Sequence, residues 1–159
     1  MPEDGAASAA SGPLLVLAFD YGAKRIGVAS GDTLTGTAGP LGSVAASHGR
    51  PDWKQLSRYV ADYQPQFLVV GVPCNMDGTD GPLTAAATAF AAELHERYAI
   101  EVVTVDERLS SREAEDLLRQ QRASGERRRR VGRADIDPVA ACVLLEQWLR
   151  DRRSARRHE

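Results

Sequence analysis

The distribution of apolar residues predicts an α/β protein, with a mixed central sheet flanked by helices. Two observations carry this. Leu14 to Phe19 and Phe67 to Val72 are continuous apolar runs of strand length, the pattern of strands covered on both faces. Longer segments between and after them repeat apolar residues at helical spacing, and an order of strands first, then strands alternating with helices, builds a sandwich around a mixed sheet.

The elements follow in order. Residues 1 to 12 are rich in Ala, Ser and Gly and read as a disordered tail, so the fold starts near Pro13. The first strand ends at Asp20, and after the turn Tyr21-Gly22-Ala23 a second is expected over Ile26 to Ser30. A weaker third lies within Thr35 to Val44, where Pro40 and several glycines blur its limits. Pro51 and Asp52 open a helix carrying Trp53, Leu56, Val60 and Tyr63 on one side, which Pro65 stops. The Phe67 to Val72 strand leads through a turn segment to Pro82, placed as a first helical residue, with Leu83, Ala87, Phe90, Leu94 and Tyr98 as the apolar stripe. Val102 to Val105 gives one more strand, followed at once by Asp106, Glu107 and Arg108. Ser110 and Glu113 have capping-box spacing for a helix carrying Leu117 and Leu118. Gln120 to Arg133 reads as a mobile loop. Asp137 with Pro138 starts a final helix through Val143, Leu144 and Trp148, ahead of a basic tail over 151 to 159. One domain over 13 to 150 accommodates all of this.

The 159 residues have no apolar run near the ~20 needed to span a membrane, and the first residues lack the order of a secretion signal, so a cytoplasmic protein without a membrane partner is expected. Cys74 and Cys142 suit buried thiols. Charge is uneven. Residues 1 to 107 hold 6 of the 20 basic and 13 of the 22 acidic side chains, leaving 14 basic against 9 acidic from Arg108 onward.

Asp20 and Glu107 each follow a buried strand and Asp137 begins a helix. In α/β sheets the carboxyl ends of strands are where sites form. Three converging carboxylates would repel strongly, at roughly 4 kcal/mol per pair for charges about 4 Å apart and an effective dielectric of ~20. A divalent cation removes that penalty, and oxygen-only ligands favour Mg²⁺ or Mn²⁺, ions suited to phosphodiester hydrolysis. His48, His95 and His158 show no zinc or triad spacing, and no G-x-x-x-x-G-K-[ST] signature is present.

The string from Phe19 to Ala29, Phe-Asp-Tyr-Gly-Ala-Lys-Arg-Ile-Gly-Val-Ala, closely resembles the opening motif of the YqgF/RuvX family. Val70-Gly71-Val72-Pro73 with Asn75, Asp77 and Gly78, then Asp106-Glu107-Arg108-Leu109, then Asp137 with Ala140 and Ala141, match in the family's order from Leu14 to about Leu149. The resemblance implies a ribonuclease-H-like fold, metal-dependent cleavage of branched DNA or structured RNA, and in bacteria the trimming of precursor small-subunit ribosomal RNA. Carried over by motif, Asp20, Glu107 and Asp137 would bind the metal. Lys24 and Arg25 would lie beside them to meet phosphate, with Arg108 as a further candidate.

Bland readings stand beside these. Asp137 alone could be a helix cap, Glu107 a solvated loop residue and Asp20 a turn former. Asp135 and Asp106 are the substitutes if a neighbouring acid serves instead. Asn75, Asp77 and Gly78 are as well placed to make a turn as to touch substrate. Arg127, Arg128, Arg129 and Arg130 form by default a solvated loop, and near a phosphate-cutting site would hold the nucleic-acid backbone. An Asp-x-Gly turn also resembles the phosphate loop of actin-like ATPases, but those need two lobes. The competing function is a catalytically weak nucleic-acid-binding module in ribosome assembly or transcription, as a monomer or homodimer.

Overall fold

Leu15–Asp20 forms β1 and Arg25–Asp32 forms β2, an antiparallel pair in which Leu15 lies opposite Asp32 and Asp20 opposite Gly27. The structure, a computed structural model, describes residues 14–22, 24–47, 50–109 and 131–157, with side chains except at 108–109, 131–137 and 154–157. Ala38–Ser47 is β3, antiparallel to β2 with a bulge between Val28 and Ala29, and the two-residue β4, Arg50–Pro51, folds back on its end. Phe67–Asn75 is β5, parallel to β1, and Glu101–Leu109 is β6, parallel to β5. The sheet runs β4-β3-β2-β1-β5-β6 and is mixed, as the order of apolar runs predicts.

Trp53–Tyr63 is the first helix, α1. Asp52 caps it, its Oδ1 accepting from the Gln55 N–H at 3.2 Å, and Gln64 closes it in the left-handed conformation ahead of Pro65. Pro51 therefore belongs to β4 rather than to the helix. The next helix, α2, is Thr84–Tyr98, two residues later than the Pro82 start expected, because Pro82 and Leu83 make a turn before it. Val131–Arg157 forms one long helix, α3, with Pro138 inside it.

That last element corrects two expectations. The final helix begins at Val131, six residues before Asp137, and residues 131 to 133 are helical instead of loop. An Asp-Pro pair marks a place where a helix is free to start, because proline has no N–H to lose in a first turn. It does not forbid helix upstream. The rest of the expected loop, residues 120 to 130, and the helix expected from Ser110, lie outside the described residues, as do residues 1 to 12. The helix continues to Arg157 through most of the stretch read as a basic tail.

The sheet has a core on each face. Leu17, Phe19, Ile26, Val28, Leu68 and Val70 pack under α1 and α2 with Leu56, Phe90 and Leu94. Val16, Ala18, Ala29 and Val69 pack under α3 with Ala141, Leu144, Leu145 and Leu149. β1 and β5 contribute to both clusters by strict alternation, and this two-sided cover is why their sequences are apolar without a break. Cys74 and Cys142 are buried thiols outside any disulfide. Among the described residues no helix is long and apolar enough to cross a membrane.

The exit from β5 is fixed by polar groups. Thr84 is buried; its Oγ1 donates to the Pro73 carbonyl and accepts from the Gly81 N–H at 2.6 Å. Asn75 Nδ2 donates to Thr79 Oγ1 at 2.9 Å and to the Asp80 carbonyl at 3.0 Å, and Asp77 Oδ1 accepts from the Thr79 N–H and hydroxyl. Gly78 sits at φ +87°, where a side chain would strain the backbone. Asn75, Asp77 and Gly78 thus make the turn. Thr84→Val keeps the shape at the joint but strips the Gly81 N–H and the Pro73 carbonyl of their partner. It should cost roughly 1–3 kcal/mol in urea denaturation, while Thr84→Ser stays near wild type.

Candidate active site

Strand pairing alone brings the first two predicted acids together. Asp20, the last residue of β1, lies opposite Gly71 of β5, and Gly71 lies opposite Val105 of β6, two residues before Glu107. Val16 and Ala18, Val69, and Val105 all pack on the α3 side. Alternation then puts Asp20, Gly71 and Glu107 on that same side. Glu107 is inside β6, which runs on to Leu109, so the expectation that it follows a strand ending at Val105 is corrected. The longer strand matters, because pairing with β5 holds Glu107 in fixed register opposite Pro73.

The Glu107 carboxyl lies directly over Gly71. A Cβ built at position 71 would meet Glu107 Oε1 at 2.6 Å, its Cδ at 2.8 Å and Leu144 Cδ2 of α3 at 2.9 Å. Only glycine leaves room there for the carboxyl to reach across β5 toward β1. The sequence signal for this residue was a glycine interrupting an apolar strand run, which marks a close approach. Its role beneath the Glu107 carboxyl is not legible in the sequence.

Burial of Glu107, the negative charge of Asp20 and a hydrogen bond between the two side chains, in that order of size, push the Glu107 carboxyl up to about 8 from an ordinary 4.5. Two carboxylates this close do not both ionise in a half-buried site, so they hold one proton between them at neutral pH and titrate as a pair. The chemistry of this donor set fits a hard divalent cation, which would take the place of that proton, bind oxygen and cancel both charges.

Asp106, weighed as a substitute for Glu107, is exposed and by alternation faces the other side of the sheet, away from Asp20. Arg25 is half-buried on β2, two residues from the Gly27 that pairs with Asp20, and so shares the face of Asp20; Lys24 is exposed beside it. The backbone of Asp137 lies in α3, four residues before Ala141 and seven before Leu144. The side chains of Asp135, Asp137 and Arg108 lie outside the described residues, and so do Arg127, Arg128, Arg129 and Arg130 entirely. Among the described residues no group of three or more His, Cys, Asp or Glu side chains comes together.

Fold and site define a ribonuclease-H-like α/β protein with a carboxyl pair set across three adjacent strands. The family model described as "RuvX: Holliday junction resolvase" matches residues 14–151, and the chain belongs to that family. It is 44% identical over 133 residues to a protein of Legionella pneumophila named "Putative pre-16S rRNA nuclease", covering 84% of this chain and 93% of that one. A protein of Escherichia coli O157:H7 with the same name is 44% identical over 133 residues, covering 84% and 94%. Among solved structures, the fowlpox virus resolvase with Holliday junction DNA matches with a TM-score of 0.49 at 13% identity, covering 87% of this chain and 98% of that one.

Two outcomes test the site without any substrate. A carboxyl raised on folding binds its proton more tightly in the native state, so its stabilising share is complete below the unfolded value and is lost as pH rises from about 4.5 to about 8. Thermal unfolding in a chelating buffer should therefore show stability falling across that window. Asp20→Asn removes the negative charge that is the second cause of the shift but leaves burial, so its decline should be shallower. Gly71→Ala forces Glu107 and Leu144 to move and should cost about 1–3 kcal/mol in denaturant unfolding; an unchanged midpoint would contradict the packing described.

Proposed function

We propose that this chain is a divalent-metal-dependent endonuclease that hydrolyses phosphodiester bonds of structured nucleic acid. Its substrate on this reading is precursor 16S ribosomal RNA or a Holliday junction, met in the cytoplasm. The observation that carries the reading is the contact between the Asp20 and Glu107 carboxyls over Gly71, on a fold belonging to the RuvX family. The names of its relatives, a pre-16S rRNA nuclease and a Holliday junction resolvase, support these substrates.

Asp20, Glu107 and Asp137 would hold the ion. Asp137 is included because helical spacing from Ala141 and Leu144, both packed on the sheet, puts it two turns from the residue that touches the Gly71 position. When bound, Mg²⁺ or Mn²⁺ supplies positive charge that stabilises phosphoryl oxygens and makes water more acidic. The protein's own part is positional. The strands fix the carboxyls before substrate arrives, so no reorganisation is required at the moment of reaction. Arg25 and Lys24, at the start of β2, would bind the phosphate on the open side of Asp20, with Arg108 as a further phosphate contact. Arg127, Arg128, Arg129 and Arg130 would hold the backbone through charge alone, without reading sequence.

The test is cleavage of a four-way DNA junction and of precursor 16S rRNA by purified protein with Mg²⁺ or Mn²⁺. Wild type is expected to cut at least one of them, with activity abolished by chelation. Asp20→Asn and Glu107→Gln should bind with undiminished affinity and lose cleavage by about a hundredfold or more, the scale seen when a preorganised charged group is removed. Cutting that survives in Asp20→Asn would refute the assignment, and wild type that binds but never cuts would establish a binding module instead.

A further inference from the structure

The face of the sheet that carries Asp20 continues beyond it. Gly27 lies opposite Asp20 and Ser43 opposite Gly27; Arg25 lies opposite Ala45; and Ser47 pairs with Arg50 of β4. Alternation places Arg25, Ser43, Ala45, Ser47 and Arg50 all on the face of Asp20 and Glu107. The core under α3 does not extend to this end of β3: Ala45, Ser47 and Arg50 are exposed. The result is a floor of small side chains with a cation at each end.

At the far end, Ala45, Ser47 and Arg50 of this face, with Ala46 and Pro51 of the other face and Asp52, line an open cleft of about 760 Å³. That is room for a nucleotide-sized group rather than a lone ion. Asp52, the carboxylate among these residues, has Oδ1 engaged at the start of α1 by the Gln55 N–H. Arg50 makes no ion pair among the described residues. β4 is three strand spacings from β1, and Ser47, the partner of Arg50, lies four residues along β3 from Ser43, so Arg50 stands about 19 Å from Asp20.

We propose that this surface is the track for the nucleic-acid strand leaving the carboxylates, with Arg50 as a remote phosphate contact and Ser43, Ala45 and Ser47 as the floor that lets the backbone lie close. It rests on the nuclease reading and adds to it a direction for the strand, from β1 across β2 and β3 to β4. Recognition is of the phosphodiester backbone, which RNA and DNA share.

The experiment is a binding titration of the full chain, without divalent metal, against fluorescent single-stranded RNA and DNA of the same sequence over a range of salt. Arg50→Gln is expected to weaken binding of both and to flatten the slope of log affinity against log salt by about 0.7, the loss of one phosphate contact on a single strand. Arg50→Lys should restore the slope. Ala45→Asp, which puts a negative charge on the floor, should weaken binding as well. Arg97→Gln is the control, since Arg97 lies on α2 against Trp53 and Glu93, on the other side of the sheet, and should leave the slope unchanged. Wild-type slope and affinity in both Arg50→Gln and Ala45→Asp would overturn the track. A protein that never cuts yet loses slope in Arg50→Gln would keep the track and refute the nuclease; one that cuts while Arg50→Gln binds like wild type would do the reverse.

Discussion

Two carboxyl groups forced into contact set the terms for the rest of this molecule. Like charges in a half-buried place are held together only if the surrounding structure over-determines them and if something positive, a proton or a cation, sits between them. Asp20 and Glu107 sit on strands paired on either side of β5, and Glu107 is raised to about 8 by burial and by its neighbour.

The architecture around the pair divides its duties by face. The side packed under α1 and α2, with the aromatic cluster of Phe19, Tyr21, Trp53 and Phe90, is a large apolar anchor that keeps β1 and β5 straight and in register. The side under α3 is built for approach. Its residues are smaller on the sheet, Ala18, Ala29 and Gly71, so the helix lies near enough for Leu144 to reach the Gly71 position. The helix thereby covers the Gly71 position over which the Glu107 carboxyl lies. Strand positions set such groups more accurately than loops do, because ladder pairing, on both edges of β1 and on one edge of β6, removes the freedom a loop retains.

The same face offers cations in the direction away from β6. Acids toward β6 and arginines toward β4 give this face of the sheet a charge polarity, negative at one side and positive at the other. The sequence hides this. Net charge over residues 1 to 107 is negative, and Arg25 and Arg50 are two of only six basic residues in that stretch. Pairing β2, β3 and β4 side by side is what sets both on one surface.

Residue order determined a good deal without any coordinates. Continuous apolar runs ending at Asp20 and Val72 reported strands with two covered faces, helical stripes reported α1 and α2, and their order gave the mixed α/β sheet; local hydrophobic pattern is enough for these because each element must bury what it carries. Motif order likewise singled out Asp20 and Glu107. What it left open was decided by long-range pairing. Whether Glu107 ends a strand or lies within one depends on β5 extending to Asn75 as a partner, and whether Asp-Pro starts a helix depends on residues upstream of it. The need for glycine at 71 exists only because a carboxyl from another strand lies over it. Which of Asp106 and Glu107 faces Asp20 is a matter of register, and a shift by one residue would exchange them. Those facts belong to contacts between segments far apart in the chain, and no local pattern encodes them.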